Sequence, residues 1–303
     1  MRIEVAVWAR LMTRLRFETI DGAVTRFYDA GDGPPVLLLH GVGMPAEVWV
    51  RNIPSLASRY RVIAPDLLGC GFTEPGRYRE GAVHPYMIDH LAALLNHLDF
   101  PRTAVIGSSL GALLALLLHL RLPERTPVLT LVSSGSAFNG DDDLKSMYEA
   151  TWKNGRSAYL DPSRENCLRR MASIVAPGTE IPEALLLAQM ISYALPGALD
   201  VFDRRMAALA DLDCWREWRV QPHLSEVTAQ VLAIFGGRDP RANVETARAE
   251  LTKIKGSRLV VFDNARHYPH LDEPKRFDRE VLNFLAETYP SGRAAAEKSS
   301  AAI

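Results

Sequence analysis

Cysteine is scarce in this 303-residue chain: Cys70, Cys167 and Cys214 are odd in number, far apart and without a Cys-x-x-Cys spacing. That excludes a disulfide framework and a zinc knuckle, and it suits a reducing, cytoplasmic compartment. Charge of one sign is missing too. Lys plus Arg number 35 against 36 for Asp plus Glu, so no net field draws the protein to nucleic acid or to an anionic membrane. The longest apolar run, Leu110 to Leu118, falls far short of the roughly 20 residues a bilayer span needs. The amino-terminal stretch carries arginines within its apolar residues, so no signal peptide is read and no stable membrane insertion is expected. Gly31, Gly33, Gly41 and Gly43 form no Gly-x-x-x-x-Gly-Lys loop, and the histidines show no His-x-x-x-His paired with a general-base Glu. No cofactor and no metal are expected. What is present is apolar content: 48% hydrophobic against 23% charged residues is the balance of a folded domain whose partner is a small molecule. A homo-oligomer is compatible with that composition.

Strand-type runs occur at about 17–29, where Gly22 turns one strand into the next, and at 36–39, 61–65, 103–107, 127–132, 230–235 and 258–262. Between them lie the helical stretches IDHLAALLNHL, LGALLALLLHL and PKRFDREVLNFLAE, the last opened by Pro274. Strands alternating with helices predict a mostly parallel, doubly wound α/β sheet covered on both faces. From about 136 to 220 the strands stop and four helical candidates follow: DDLKSMYEATWKN, RENCLRRMASIV, PEALLLAQMISYAL and ALDVFDRRMAALADL. Because strand-type runs resume at Gln230, this segment reads as a helical lid, 136–220, inserted into one core made of 17–135 and 221–290. Residues 291–303 are small and polar and read as a frayed tail.

The segment that carries chemistry is Gly107-Ser108-Ser109-Leu110-Gly111, placed between a buried strand and a long apolar helix. A serine on so tight a turn sits in a strained backbone, and side chains two residues before and after it would collide, which accounts for the two glycines. The pentapeptide alone is a weak signal; the strand before it and the helix after it give it weight.

With three further motifs the chain resembles the α/β-hydrolase superfamily from about Phe17 to Glu287. His40-Gly41-Val42-Gly43 is similar to the family's oxyanion turn, and Asp66-Leu67-Leu68-Gly69-Cys70-Gly71 to its structural Asp-x-x-Gly-x-Gly turn. Gly236-Gly237-Arg238-Asp239 resembles the turn carrying the acid, and His267 is followed by His270, Asp272 and Pro274 at the family's offsets. The resemblance implies an α/β-hydrolase fold with Ser109 as nucleophile, Asp239 as acid and His267 as base, in the order Ser, Asp, His that this fold uses. It also implies an oxyanion hole from the backbone N–H groups of Leu110 and Val42, with Gly43 as the alternative to Val42. Serine needs an imidazole to take its proton, and the carboxylate holds the imidazole in the useful tautomer.

His270 is the rival to His267, whose distance from Pro274 is the better match. His40 reads as a buried turn residue. His84, His90, His97, His119 and His223 read as surface or capping residues on polar turns and helix faces. Asp66 reads as turn-forming, and Asp263 stands too close to His267 to reach its ring from the far side. Most of Met147, Trp152, Tyr159, Met171, Met190, Tyr193, Phe202, Met206, Trp215 and Trp218 are expected to pack lid against core, and the rest to line an apolar pocket above Ser109. Arg169, Arg170, Arg204 and Arg205 are readable as carboxylate anchors or as solvated helix faces. A serine nucleophile implies an acyl-enzyme formed from a small apolar or aromatic acyl substrate. A carboxylic ester is the first expectation and the carbon–carbon bond of a vinylogous diketone the second. The resemblance attaches the second to relatives with Asn before the nucleophile, Trp after the histidine and a lid arginine, where this chain has Ser108, Tyr268 and Gln189. An acyltransferase or a non-catalytic hydrolase-fold receptor would use the same scaffold.

Overall fold

The computed structural model describes residues 8–291; apart from Ser291, the expected tail lies outside the described residues. Eight strands form one sheet: β1 (Leu15–Ile20), β2 (Ala23–Ala30), β3 (Pro35–Leu39), β4 (Arg61–Pro65), β5 (Ala104–Ser108), β6 (Val128–Val132), β7 (Gln230–Gly236) and β8 (Arg258–Phe262). Their order is β1-β2-β4-β3-β5-β6-β7-β8. β1 and β2 are a hairpin whose turn residues, Asp21 and Gly22, both have positive φ (48° and 75°), the pair a tight right-twisting hairpin demands. β2 meets β4 antiparallel, and from β4 to β8 every neighbouring pair is parallel.

The central strands read as apolar runs because both faces of the sheet are covered. Successive side chains alternate between two cores: Leu37, Leu39, Val105, Leu129 and Leu131 join one, Val36, Leu38, Ala104, Ile106 and Val128 the other. Helices α1 (His84–His97) and α2 (Leu110–Arg121) pack on the first face. α2 is buried on nearly every side, as a helix apolar on nearly every side must be.

Between β6 and β7 the chain forms four longer helices, α3 (Asp141–Leu160), α4 (Arg164–Ala172), α5 (Glu183–Tyr193) and α6 (Ala198–Ala210), one for each helical candidate in that segment. α3 and α6 approach so closely that a Cβ at Gly155 would run into the Phe202 ring. α7 (Val244–Leu251), which the sequence reading did not anticipate, and α8 (Pro274–Thr288) complete the layers. α7 buries only Ala247 and Leu251, so its apolar period is faint, although Asn243 caps its first turn by accepting from the Glu245 and Thr246 N–H groups. α8 starts at Pro274 as expected and fills the second core with Phe277, Val281, Phe284 and Leu285.

Candidate active site

Parallel strands all end on one edge of the sheet, and the loops there bring distant residues together. β3 delivers His40 to Gly43, β5 delivers Ser109, β7 delivers Asp239 and β8 delivers His267.

Ser109 stands between β5 and α2 with φ 55° and ψ −116°, a conformation disfavoured for any residue with a Cβ. Its backbone is anchored on all sides: its N–H donates to Val132 O (2.9 Å), while its carbonyl accepts from the Ser134 hydroxyl (2.8 Å) and the Ala112 N–H (3.0 Å). Those bonds offset the strain. A Cβ at Gly107 would collide with the Gly111 carbonyl, and one at Gly111 with the Leu39 carbonyl. A Cβ at Gly41 would press on Ser109 Cβ and the Tyr268 hydroxyl, both 3.1 Å away, so the turn after β3, the serine and the residue after His267 share one small space.

His267 Nδ1 lies 3.0 Å from both oxygens of Asp239, and both side chains are wholly buried. Asp239 Oδ1 also accepts from the Arg241 and Ala242 N–H groups at 2.8 and 3.2 Å. Because a carboxylate can only accept, Nδ1 keeps its hydrogen and donates, and the lone pair is left on Nε2, the tautomer a general base needs. Nε2 is buried and makes no hydrogen bond; its bond to the Ser109 hydroxyl is therefore not formed in this state. The histidine loop is bolted down by Asp272, whose oxygens accept from the Arg266 N–H (2.8 Å), the Ala176 N–H (2.9 Å) and the Thr179 hydroxyl (2.6 Å).

The rival residues are occupied elsewhere. His270 stacks on Trp49 with ring centroids 4.2 Å apart, neither ring nitrogen is bonded, and burial pushes its pKa down to about 3. His40 accepts from the Leu67 N–H through Nε2 (2.8 Å) and faces Gly41 O through Nδ1 (2.7 Å), so its tautomer is fixed and its only acceptor nitrogen is in use; burial holds it neutral, with a pKa near 3. Asp66 accepts from the Ala46 N–H (2.7 Å) and the Phe72 N–H (2.8 Å) and pairs with buried Arg26, which also pairs with Glu47. That network pins the chain just beyond the oxyanion turn.

Three histidines depart from the surface roles read in the sequence. His84, His90 and His119 are buried: His84 lies 4.7 Å from the Trp215 ring, His90 Nε2 lies 2.8 Å from Thr25 Oγ1, and His119 Nε2 accepts from the Thr228 N–H at 3.1 Å. Arg170 and Arg205 are likewise not solvated but only 3% and 1% exposed.

In the turn after β3 the Val42 N–H has no hydrogen-bond partner among the described residues, and the Leu110 N–H lies in the first turn of α2, where a helix offers no acceptor. The Gly43 N–H lies near the Cys70 sulfur. Sequence reasoning gave no anchoring role to Ser134, whose hydroxyl holds the Ser109 carbonyl, or to Tyr193, whose hydroxyl holds the Gly43 carbonyl.

A model of the Alpha/beta hydrolase family matches residues 36–280. The chain is 28% identical over 277 residues to 2-hydroxy-6-oxo-2,4-heptadienoate hydrolase of Pseudomonas putida, covering 88% of this chain and 94% of the relative. It is 28% identical over 268 residues to the pimeloyl-[acyl-carrier protein] methyl ester esterase of Aeromonas hydrophila, covering 87% and 98%. The solved structure of a serine hydrolase involved in carbazole degradation superimposes with a TM-score of 0.74 at 25% identity, covering 90% of this chain and 98% of that one. With strand order, chain coverage and family model in agreement, the chain belongs to the alpha/beta hydrolase family.

Proposed function

We propose that this protein is a serine hydrolase that cleaves a small apolar carboxylic ester through an acyl-enzyme. The observation that carries the reading is the buried Asp239–His267 pair at 3.0 Å, with Nε2 left unbonded on the edge of the sheet where the strained Ser109 stands. In the first half-reaction the Ser109 Oγ forms a bond to the ester carbonyl carbon as its proton passes to Nε2, and Asp239 stabilises the imidazolium. The carbonyl oxygen becomes an oxyanion facing the Val42 and Leu110 N–H groups, each worth about 3 kcal/mol in the transition state. Collapse breaks the ester C–O bond, and the alcohol leaves with the proton from Nε2. Water then repeats the sequence on the acyl-enzyme, releasing the acid and restoring Ser109. Ser109 is only 8% exposed, so α3 to α6 act as a lid that moves to admit substrate.

A second reading, hydrolysis of a carbon–carbon bond in a vinylogous diketone, is favoured by the relative named for heptadienoate hydrolysis. Against it, the buried Gln189 amide nitrogen donates to Met44 Sδ at 3.2 Å and Met171 Sδ at 3.5 Å, and so supplies no cation where those relatives are expected to have arginine. The deciding experiment runs p-nitrophenyl acyl esters of increasing length beside a dienoate meta-cleavage product. Short or aromatic acyl esters are expected to give the higher kcat/KM. A higher value on the dienoate moves the function to the second reading, and no turnover of either contradicts both.

A further inference from the structure

Helices α4 and α5 reach into the oxyanion turn itself. Arg170 Nη2 on α4 donates to the Val42 carbonyl at 3.0 Å, and the Tyr193 hydroxyl on α5 donates to the Gly43 carbonyl at 2.7 Å. The peptide joining Val42 to Gly43 is thus tied at its carbonyl, and the next peptide at its own. Such ties matter here because Gly43, at φ +63°, belongs to a glycine-rich turn with wide backbone freedom. A peptide plane that swings carries its neighbour with it, so fixing the 42–43 plane fixes the direction of the adjacent Val42 N–H.

Arg170 is an expensive way to make this contact. The residue is 3% exposed, and its guanidinium has no carboxylate within ion-pairing distance among the described residues and leaves Nη1 unbonded. Its surroundings are the rings of Tyr193, Tyr159 and Phe202, at 5.2, 5.9 and 5.9 Å. For stability alone an apolar side chain of similar volume serves as well or better than a buried cation without its counter-charge. Arg205 on α6 is buried in a similar way, has no carboxylate within ion-pairing distance among the described residues, and lies 6.0 Å from the Phe202 ring, yet it donates to the Gly69 carbonyl at 2.9 Å and not to the turn after β3. The two side chains therefore differ in one respect that bears on chemistry.

We propose that Arg170 is a positioning residue, which through the Val42 carbonyl aims the Val42 N–H at the developing oxyanion, so that the hole is complete only while α4 is seated on the turn. The proposal rests on the reading of Ser109 as nucleophile and Val42 as oxyanion donor. The test compares wild type with Arg170→Met, Arg170→Lys and Arg205→Met in two assays. One is turnover of p-nitrophenyl butyrate. The other is inhibition by an alkyl trifluoromethyl ketone, which forms a tetrahedral adduct, set against the matching methyl ketone, which does not. Arg170→Met is expected to lose about 10- to 100-fold in kcat, the scale of a misaligned oxyanion donor, with KM within about twofold by the same reasoning, since ground-state binding barely uses the hole. It loses trifluoromethyl ketone affinity by the same factor and keeps methyl ketone affinity. Arg170→Lys retains one donor and recovers part of both losses, and Arg205→Met keeps the wild-type kcat. Unchanged trifluoromethyl ketone affinity in Arg170→Met, or an equal kcat loss in Arg205→Met, overturns the proposal. If thermal melting shows Arg170→Met to be unfolded, Arg170→Lys decides: a lowered kcat must then be matched by lowered trifluoromethyl ketone affinity. Wild type that neither turns over the ester nor binds the trifluoromethyl ketone sinks the reading of the site, whereas inhibited wild type beside an indifferent Arg170 variant sinks the role of Arg170 alone.

Discussion

Asp239 does more than pair with His267. Its Oδ1 also accepts the Arg241 and Ala242 N–H groups and so closes the turn after β7. In Asp239→Asn the amide oxygen can keep the backbone bonds while the amide nitrogen faces Nδ1, which drives the imidazole proton to Nε2 and removes the base. The expected outcome is a fall in kcat of about 10,000-fold with the melting temperature close to wild type. Ester turnover and a thermal melt measured by circular dichroism check it. An Asn variant with near-normal kcat would show that the carboxylate is only a turn-former. Ser109, Asp239 and His267 could be picked out in the sequence because each follows a strand-type run in a recognisable turn. The contacts of Arg170 and Tyr193 could not be read there, since their partners are backbone carbonyls 128 and 150 residues away, and no local pattern marks such a bond.

At the scale of elements, the strands were legible because a parallel sheet covered on both faces leaves short apolar runs bounded by Gly and Pro. β3 to β8 begin or end within a residue or so of the expected runs. α7 was missed for the opposite reason: with two buried residues, it has almost no period to read. The buried polar residues were hidden by their type, though their spacing gave them away. On α1 His84 falls in line with Met87, Ile88 and Leu91; on α4 Arg170 falls beside Cys167 and Met171; on α6 Arg205 follows Phe202 and precedes Met206 and Leu209. Each is the three- and four-residue step of a core-facing stripe. A solvated face is the ordinary place for Arg, and reading by residue type alone puts Arg170 and Arg205 there.

Over the whole molecule, burial of so many imidazoles sets the response to acid. His40, His84 and His270 are pushed down to about 3 and His90 to about 4, in each case chiefly by burial. Between these values and the unfolded value near 6.5, the unfolded chain binds protons that the folded chain refuses, so stability falls as pH falls through that window. Asp278, raised to about 6 by burial, works the other way: its contribution is fully present below its unfolded pKa of about 3.9 and is lost as pH rises toward 6. Four groups outweigh one. The melting temperature is therefore expected to drop steadily from pH 7 to pH 4, and a flat or rising profile over that range would contradict the burial of these rings. The central claim, that this architecture exists to make one serine nucleophilic, is tested most directly by incubating the protein with a fluorophosphonate and locating the adduct by peptide mass spectrometry. One adduct is expected, on the peptide bearing Ser109, and none in Ser109→Ala; an unlabelled wild type, or a Ser109→Ala variant still labelled to the same extent, would contradict it.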